Sequence, residues 1–495
     1  MDEPVKRPSV NPLDRLGALA RRGGAIRLNG LSDRQFTAVA AGLGLVLAAG
    51  VALAAGPWDS GQRKAERDWV AARGGTGGAH HAVGTGGQPP APSAPPVLAP
   101  LSAAVDNSAP DAATAPDRTA LGTALAPLMK VPALGTVRTG VVIDVATGER
   151  LYAQGADTPM TPASTVKIAT SVAALSALGP DHRIDTTVRA SPDSRTLTLV
   201  GGGDPTLDRA GLRALAADTA RALKGRGVKE ARLVYDASRY SGPARHPIGP
   251  NENIAPVSAL MTDEGRLDSS DSGPAPRSDD PAGDTARTFV GLLGDAGIAV
   301  RPDPAAGRAA GDSRPVARHR SAPLSALVER ALTNSDNDIA EALARQTAVA
   351  AGAPADFAGA RRAVTERLAA LRLPLTGANL ADGSGLNRKD KVTAGLLAGL
   401  LASAADPAHP ELRPVLTGLP VAGFTGTLSD RYTAKSAGTG LVRAKTGTLT
   451  GVNSLAGTVV DARGRLLAFA FLASGTTSPS EAQSSLDALA TRLVR

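Results

Sequence analysis

The stretch "TPASTVKIAT", residues 161–170, sets a serine three residues ahead of a lysine, and the apolar run that begins there continues to Gly179. Residues 164–179 predict a helix closed by Gly179-Pro180, since glycine ends helices and proline cannot continue one. Residues three apart share a helix face, so Ser164 and Lys167 stand one turn from each other. A serine hydroxyl is a weak nucleophile until a neighbouring base takes its proton. Lysine becomes that base only where burial or nearby positive charge disfavours its ammonium. At the helix start, Ser164 also meets the positive end of the macrodipole, which favours a developing oxyanion. Taken alone, the pair reads more simply as an N-capping serine and a surface lysine.

Working outward, "TGVVIDVATGERLYAQG" (139–155) predicts a strand, a turn at Ala146–Gly148 and a second strand. Near the other end, "GLVRAKTG" (440–447), "VNSLAGTVVD" (452–461) and "RLLAFAFLAS" (465–474) predict three strands. Their short turns, at Thr448–Gly451 and Ala462–Gly464, make neighbours antiparallel. A last helix runs from Pro479 to Val494. Strands at both ends with helices between them imply one sheet built from both ends of an α/β domain that starts near residue 119.

Two further motifs change the weight of the first. Ser335-Asp336-Asn337 falls at a break between helical stretches 324–333 and 338–350, where N-capping is the plain alternative. Ser9-Val10-Asn11 has the same pattern in the N-terminal tail, so the motif is cheap by itself. Lys445-Thr446-Gly447-Thr448 lies at the end of a predicted strand. The glycine there would admit a substrate backbone to the strand edge, and the lysine and threonine suit a carboxylate. Ser-x-x-Lys and Lys-Thr-Gly each occur once in the chain, and the three motifs follow in order on a helix start, an interhelical break and a strand end.

Composition excludes other chemistries. The 495 residues contain no cysteine, and aromatics are only 2%. There is no disulfide framework or thiolate metal site, and the core is left to Leu, Val, Ile and Ala. His80, His81, His182, His246, His319 and His409 show no zinc-enzyme spacing. The net charge of +8 is dispersed among acidic residues and lacks aromatic platforms, which argues against nucleic acid. An acidic wall polymer suits it as well.

Residues 35–58 form 24 positions without a charge, and roughly 20 apolar residues span a bilayer core. Trp58 suits an interfacial anchor. Ala52-Leu53-Ala54 alternatively fits a signal-peptide cleavage site. Basic residues flank the segment on both sides, so charge alone does not orient it. The expected organisation is a tail over 1–34, a membrane anchor over 35–58, a Gly/Pro/Ala-rich spacer over 59–118 and a folded domain over 119–495.

The three motifs in this order are those of penicillin-binding proteins and serine β-lactamases. The chain resembles the penicillin-recognising serine enzymes over about residues 119–495. Within them it is similar to the class C low-molecular-mass penicillin-binding proteins, the D-alanyl-D-alanine carboxypeptidase/endopeptidase family. "GGGDPTL" (201–207) and "DGSGLNR" (382–388) support the narrower resemblance; Asn387 stands where that family has serine. The long stretch between Lys167 and Ser335 leaves room for an inserted domain over about 185–315, with strand-like runs "DTTVRA", "TLTLVGG" and "ARLVYDA".

The resemblance implies a β-lactamase/transpeptidase-like fold: an antiparallel five-stranded sheet flanked by helices, a helical subdomain, and the insertion. It implies peptidoglycan stem peptides ending in D-Ala-D-Ala as substrate and β-lactams as covalent inhibitors. By it, Ser164 attacks the carbonyl of the penultimate D-Ala, Lys167 accepts the proton, Ser335 relays a proton to the leaving amine, and Asn337 positions substrate or Lys167. Lys445 raises the local positive potential and, with Thr446, meets the terminal carboxylate beside Gly447. Backbone N–H groups of Ser164 and Thr448 form the oxyanion hole. No metal or organic cofactor is required. A substrate in the wall places 59–495 outside a cell membrane crossed once by 35–58, or free of it if the segment is cleaved. The rivals are a serine β-lactamase of the same fold and a non-catalytic β-lactam or wall sensor.

Overall fold

The computed structural model describes residues 118–494. The segments 1–34, 35–58 and 59–117 lie outside the described residues. Among those described, no helix is long and apolar enough to cross a membrane.

The central sheet has five strands: β1 (Val137–Asp144), β2 (Arg150–Gln154), β9 (Arg443–Leu449), β10 (Val452–Val460) and β11 (Leu466–Ser474), in the order β2-β1-β11-β10-β9. Every pairing is antiparallel, and the N-terminal hairpin joins the C-terminal meander through β1 and β11. The side-chain period of two sorts β11 cleanly. Ala468, Ala470 and Leu472 enter one core; Leu467, Phe469, Phe471 and Ala473 enter another. Both faces are covered, which is why this strand reads as an almost unbroken apolar run. Helices α1 (Arg118–Met129) and α9 (Pro479–Arg492) cover the second face through Leu125, Met129, Leu486 and Leu489.

Over the first face lies a helical layer: α2 (Lys167–Leu178), α5 (Leu324–Thr333), α6 (Asn337–Ala350), α7 (Phe357–Ala370) and α8 (Ala394–Ala405). Helix α2 is buried continuously from Lys167 to Leu175, as expected of a helix apolar on all sides. Its first residue is therefore a lysine inside the molecule. Gly179, at φ +80°, closes the helix where the sequence puts the break.

Between α2 and α5 stands a second sheet. It comprises β3 (Asp185–Ala190), β4 (Thr196–Val200), β5 (Glu230–Asp236), the short β6 (Ala299–Val300) and β7 (Ala305–Ala306), and β8 (Arg314–Arg320). Helices α3 (Arg209–Lys224) and α4 (Pro281–Asp295) pack on it around Phe289, Leu199, Leu212 and Leu233, a core separate from the other two. Strand β8 pairs with β3 out to Arg320, so this sheet runs past residue 315. A long connection between β5 and α4, residues 237–280, leaves this sheet and runs to the helical layer.

The third predicted motif needs a correction. The strand begins at Arg443 rather than 440, because Gly440 at φ +76° and the turn from Gly438 to Val442 precede the ladder. It ends at Leu449, and Leu449 pairs with Val452 across a two-residue turn. Lys445 to Thr448 thus lie inside β9 and not at its end.

Candidate active site

Ser164 sits in a tight turn, Ala163–Val166, immediately before α2, and Ala163 holds the uncommon φ of +49°. The turn is tied to β10: Ser454 Oγ donates to Pro162 O at 2.6 Å, and Thr165 Oγ1 donates to the same carbonyl at 2.8 Å. Two glycines let distant chain approach it. A Cβ on Gly447 would overlap Ser454 Oγ and stand 2.6 Å from Pro162 O and 3.1 Å from Ser164 N. A Cβ on Gly385 would overlap Ala163 O and stand 3.0 Å from Ser164 N. Gly447 therefore seats the serine turn against the sheet.

Lys167 is fully buried and spends its three N–H bonds within the site. Nζ donates to Ser164 Oγ at 3.0 Å, Asn337 Oδ1 at 2.7 Å and Ser384 O at 2.6 Å. Burial pulls its ammonium down to about 8, against the opposing pull of Asp382, Asp336, Glu341 and Asp390. Lys445 is equally buried and donates to Thr446 O at 2.7 Å. Burial, then the positive charges of Lys167 and Arg431, push it well below the usual lysine range.

Asp336, the middle residue of the second motif, caps α6 by accepting from Ile339 N at 2.9 Å. Asn337 starts the helix and turns its carbonyl oxygen to Lys167, while its amide donates to Asn253 O at 2.9 Å. Ser335 is held at φ +59°, a conformation costly for a residue other than glycine and typical of functional sites. The motif is clamped by the 237–280 connection. Asp338 accepts from Ala255 N at 2.9 Å and from Arg277 Nη1 at 2.8 Å. Glu264 pairs with Arg266 at 3.1 Å and with Arg330. Burial, then the nearby Asp336 charge, pushes the Asp338 carboxyl up to about 7 and Glu264 to about 8.

Ser164, Ser335, Asn337, Thr446 and Thr448 line one cleft of about 440 Å³, bordered by Asn253, Arg277, Thr427 and Arg431. Lys167 lies beneath it in contact with two of them. Lys445 and Gly447 lie on β9 but do not line it. All eight residues singled out in the sequence thus gather around one place. Ser384, Ser454, Asn253 and Glu341 were not assigned roles from sequence. Only Ser384 carried a signal, through the quoted "DGSGLNR", and it acts by its carbonyl, which no residue type encodes.

A family model described as "D-Ala-D-Ala carboxypeptidase 3 (S13) family" matches residues 121–276 and 268–494. The chain is 39% identical over 420 residues to Carboxypeptidase DacB of Mycolicibacterium smegmatis, covering 81% of this chain and 88% of that one. It is 30% identical over 465 residues to D-alanyl-D-alanine carboxypeptidase of Actinomadura sp. (strain R39), covering 74% and 83%. In fold it is similar to penicillin binding protein 4 (dacB) from Haemophilus influenzae, at TM-score 0.63 and 22% identity over 75% of this chain and 98% of that one. That protein is also known complexed with a novel β-lactam, at TM-score 0.61 to this chain.

Proposed function

The chain belongs to the D-Ala-D-Ala carboxypeptidase 3 (S13) family, and from that premise we infer that it is a serine D-alanyl-D-alanine carboxypeptidase that works through an acyl-enzyme and binds β-lactams. The observation that carries the reading is the 3.0 Å hydrogen bond between the buried Lys167 amine and Ser164 Oγ at the floor of an open cleft. A neutral Lys167 takes the proton of Ser164 as its oxygen bonds to the carbonyl carbon of the penultimate D-Ala. The oxyanion is received by the N–H groups of Ser164 and Thr448. When the C–N bond breaks, the leaving amine takes a proton through Ser335. Water then opens the ester and returns Ser164 as a free hydroxyl.

Both lysines are pushed down by burial, and Lys167 is the base because its Nζ is the one bonded to Ser164 Oγ, whereas Lys445 Nζ bonds to Thr446 O. Lys445 contributes positive potential from beneath the strand, and the hydroxyls of Thr446 and Thr448 meet the terminal carboxylate. Asn337 holds Lys167 and takes its own orientation from Asn253 O. A wall substrate, together with the uncharged 35–58 segment, supports an extracytoplasmic domain on a single membrane anchor. Fractionation of cells expressing the full chain tests that part.

The test of the chemistry is D-alanine release from a synthetic stem peptide, with mass-spectrometric mapping of a β-lactam adduct. The wild type should release D-alanine and carry the adduct on Ser164, and Ser164→Ala should do neither. Equal release by both proteins sinks the reading. Rapid steady-state turnover of the β-lactam without peptide cleavage would support the β-lactamase instead.

A further inference from the structure

Beneath Lys167 lies a buried polar cluster that the reaction above does not use. Asp382 opens the loop 382–388 and holds its shape. Its carboxylate accepts from Ser384 N at 3.1 Å, Gly385 N at 2.6 Å and Asn387 N at 2.7 Å. Glu341 on α6 accepts from Gly383 N at 3.0 Å and Ser384 N at 2.9 Å. These bonds fix the peptide whose carbonyl, at Ser384, receives the Lys167 ammonium. Asp390 lies against the same residue, accepting from Asp382 N at 3.2 Å, and a further partner of the Asp382 carboxylate comes from far away in the chain. His246, on the 237–280 connection, lies 2.8 Å from Asp382 Oδ2 through Nε2, and both side chains are buried. Ile248 N donates to His246 Nδ1 at 3.3 Å. Nδ1 is therefore the acceptor, and Nε2 carries the hydrogen that it donates to the carboxylate. The ring is braced edge-on by Phe357 at 5.4 Å between centroids.

We propose that His246 is a positioning residue for the Lys167 base, acting through its Nε2–H bond to Asp382 and the carbonyl of Ser384 that this bond holds in place. The role rests on the assignment of Lys167 as general base. It couples the inserted region to the chemistry through Asp382 and the Ser384 carbonyl, although His246 itself does not line the cleft. Its electrostatic sense follows from the neighbours. Lys167 faces Asp336 at the N-cap of α6, Glu341 on α6, Asp382 in the loop, Asp390 just beyond it, and Lys445 on β9. His246 faces Asp382 and Glu341, with Arg345 behind Glu341 on α6. Of the charges that hold the Lys167 ammonium, Asp382 is the strongest. A donor on Asp382 spreads that negative charge away from the amine. The three backbone N–H donors stay on Asp382 when the ring is removed, but more of its charge then faces Lys167, whose proton becomes harder to lose, and the loop is freer to shift.

The experiment compares full-length wild type, His246→Leu and His246→Gln for the second-order rate of acylation by a fluorescent penicillin across pH. Glutamine places an amide donor close to the position of Nε2; leucine supplies none. His246→Leu should acylate about tenfold more slowly at neutral pH, the loss that a rise of about one unit in the midpoint of the base produces. Its pH midpoint should move upward, and His246→Gln should keep the wild-type midpoint. A role limited to stability would lower the melting temperature and leave the midpoint in place. A midpoint in His246→Leu that is unmoved or lowered overturns the proposal. If the leucine variant does not accumulate, His246→Asn, whose shorter amide cannot reach Asp382, takes its place with the same expectation. Wild type that takes up no penicillin on Ser164 refutes the functional reading itself, an outcome distinct from failure of the His246 role.

Discussion

Lys167 is a lysine shut off from bulk solvent, with three acceptors to hold it. Those facts pull in opposite directions, and burial prevails: the amine is brought down to about 8. The base is the neutral form, so the rate of Ser164 acylation should rise with pH and level off above about 8. One unit below that value roughly a tenth of the molecules hold a neutral amine, so the rate should fall about tenfold per unit on the acid side. Acylation rates measured across pH check this, and a rate that is flat through neutrality contradicts it. Lys167→Arg sharpens the test. Arginine keeps a charge and several donors but does not give up its proton in proteins. Loss of a general base alone typically costs about 10²–10⁴-fold, and acylation should drop within that range even where the variant folds. At this scale the sequence was highly legible, since residue identity and an i, i+3 spacing are local. What stayed hidden was the Ser384 carbonyl, because every residue carries that group and only the folded path aims it.

The serine turn is held between two elements from the far end of the chain, β9 at Gly447 and the loop at Gly385. Both glycines allow backbone to approach Ser164 N. Gly447→Val should therefore push the turn and strand apart, displacing the serine from Lys167. Displacement of about 1 Å is enough to cost on the order of 10²-fold, so the variant should lose at least that much acylation. Its far-ultraviolet circular dichroism should match the wild type. A variant acylated at the wild-type rate would show that the turn does not depend on that contact. The elements themselves were readable where their periodicity is strong: the β1–β2 hairpin, the apolar β11 and the two helices around Ser335. The start of β9 was not. Gly438 to Val442 look compatible with a strand, and only the turn they make sets where pairing begins. Strand β8 was invisible for a different reason. "RPVARHR" has no apolar alternation, because the strand lies at a sheet edge and owes its form to pairing with β3.

Across the described residues the molecule joins two sheets with separate cores, and the chemistry draws on both. The first sheet supplies β9. The region of the second supplies the 237–280 connection, which delivers Asn253 O to Asn337, Arg277 to Asp338 and His246 to Asp382. Spacing between the motifs signals that something intervenes, but it says nothing of whether that material serves the site. The contacts argue that it does, and they set a prediction. Phe289 is fully buried in the core of α3, α4 and the second sheet, with no part in the cleft. Phe289→Ala should destabilise that core by about 3–5 kcal/mol. If the second sheet were a passenger, its region would melt early while Ser164 continued to react with penicillin. Because its connection clamps the second motif, acylation should instead be lost at the same temperature as hydrogen-exchange protection in β3–β5. Measuring both along one thermal ramp decides the matter: a variant that has lost protection there yet still acylates at the wild-type rate would show that the first sheet and its helices hold the site unaided.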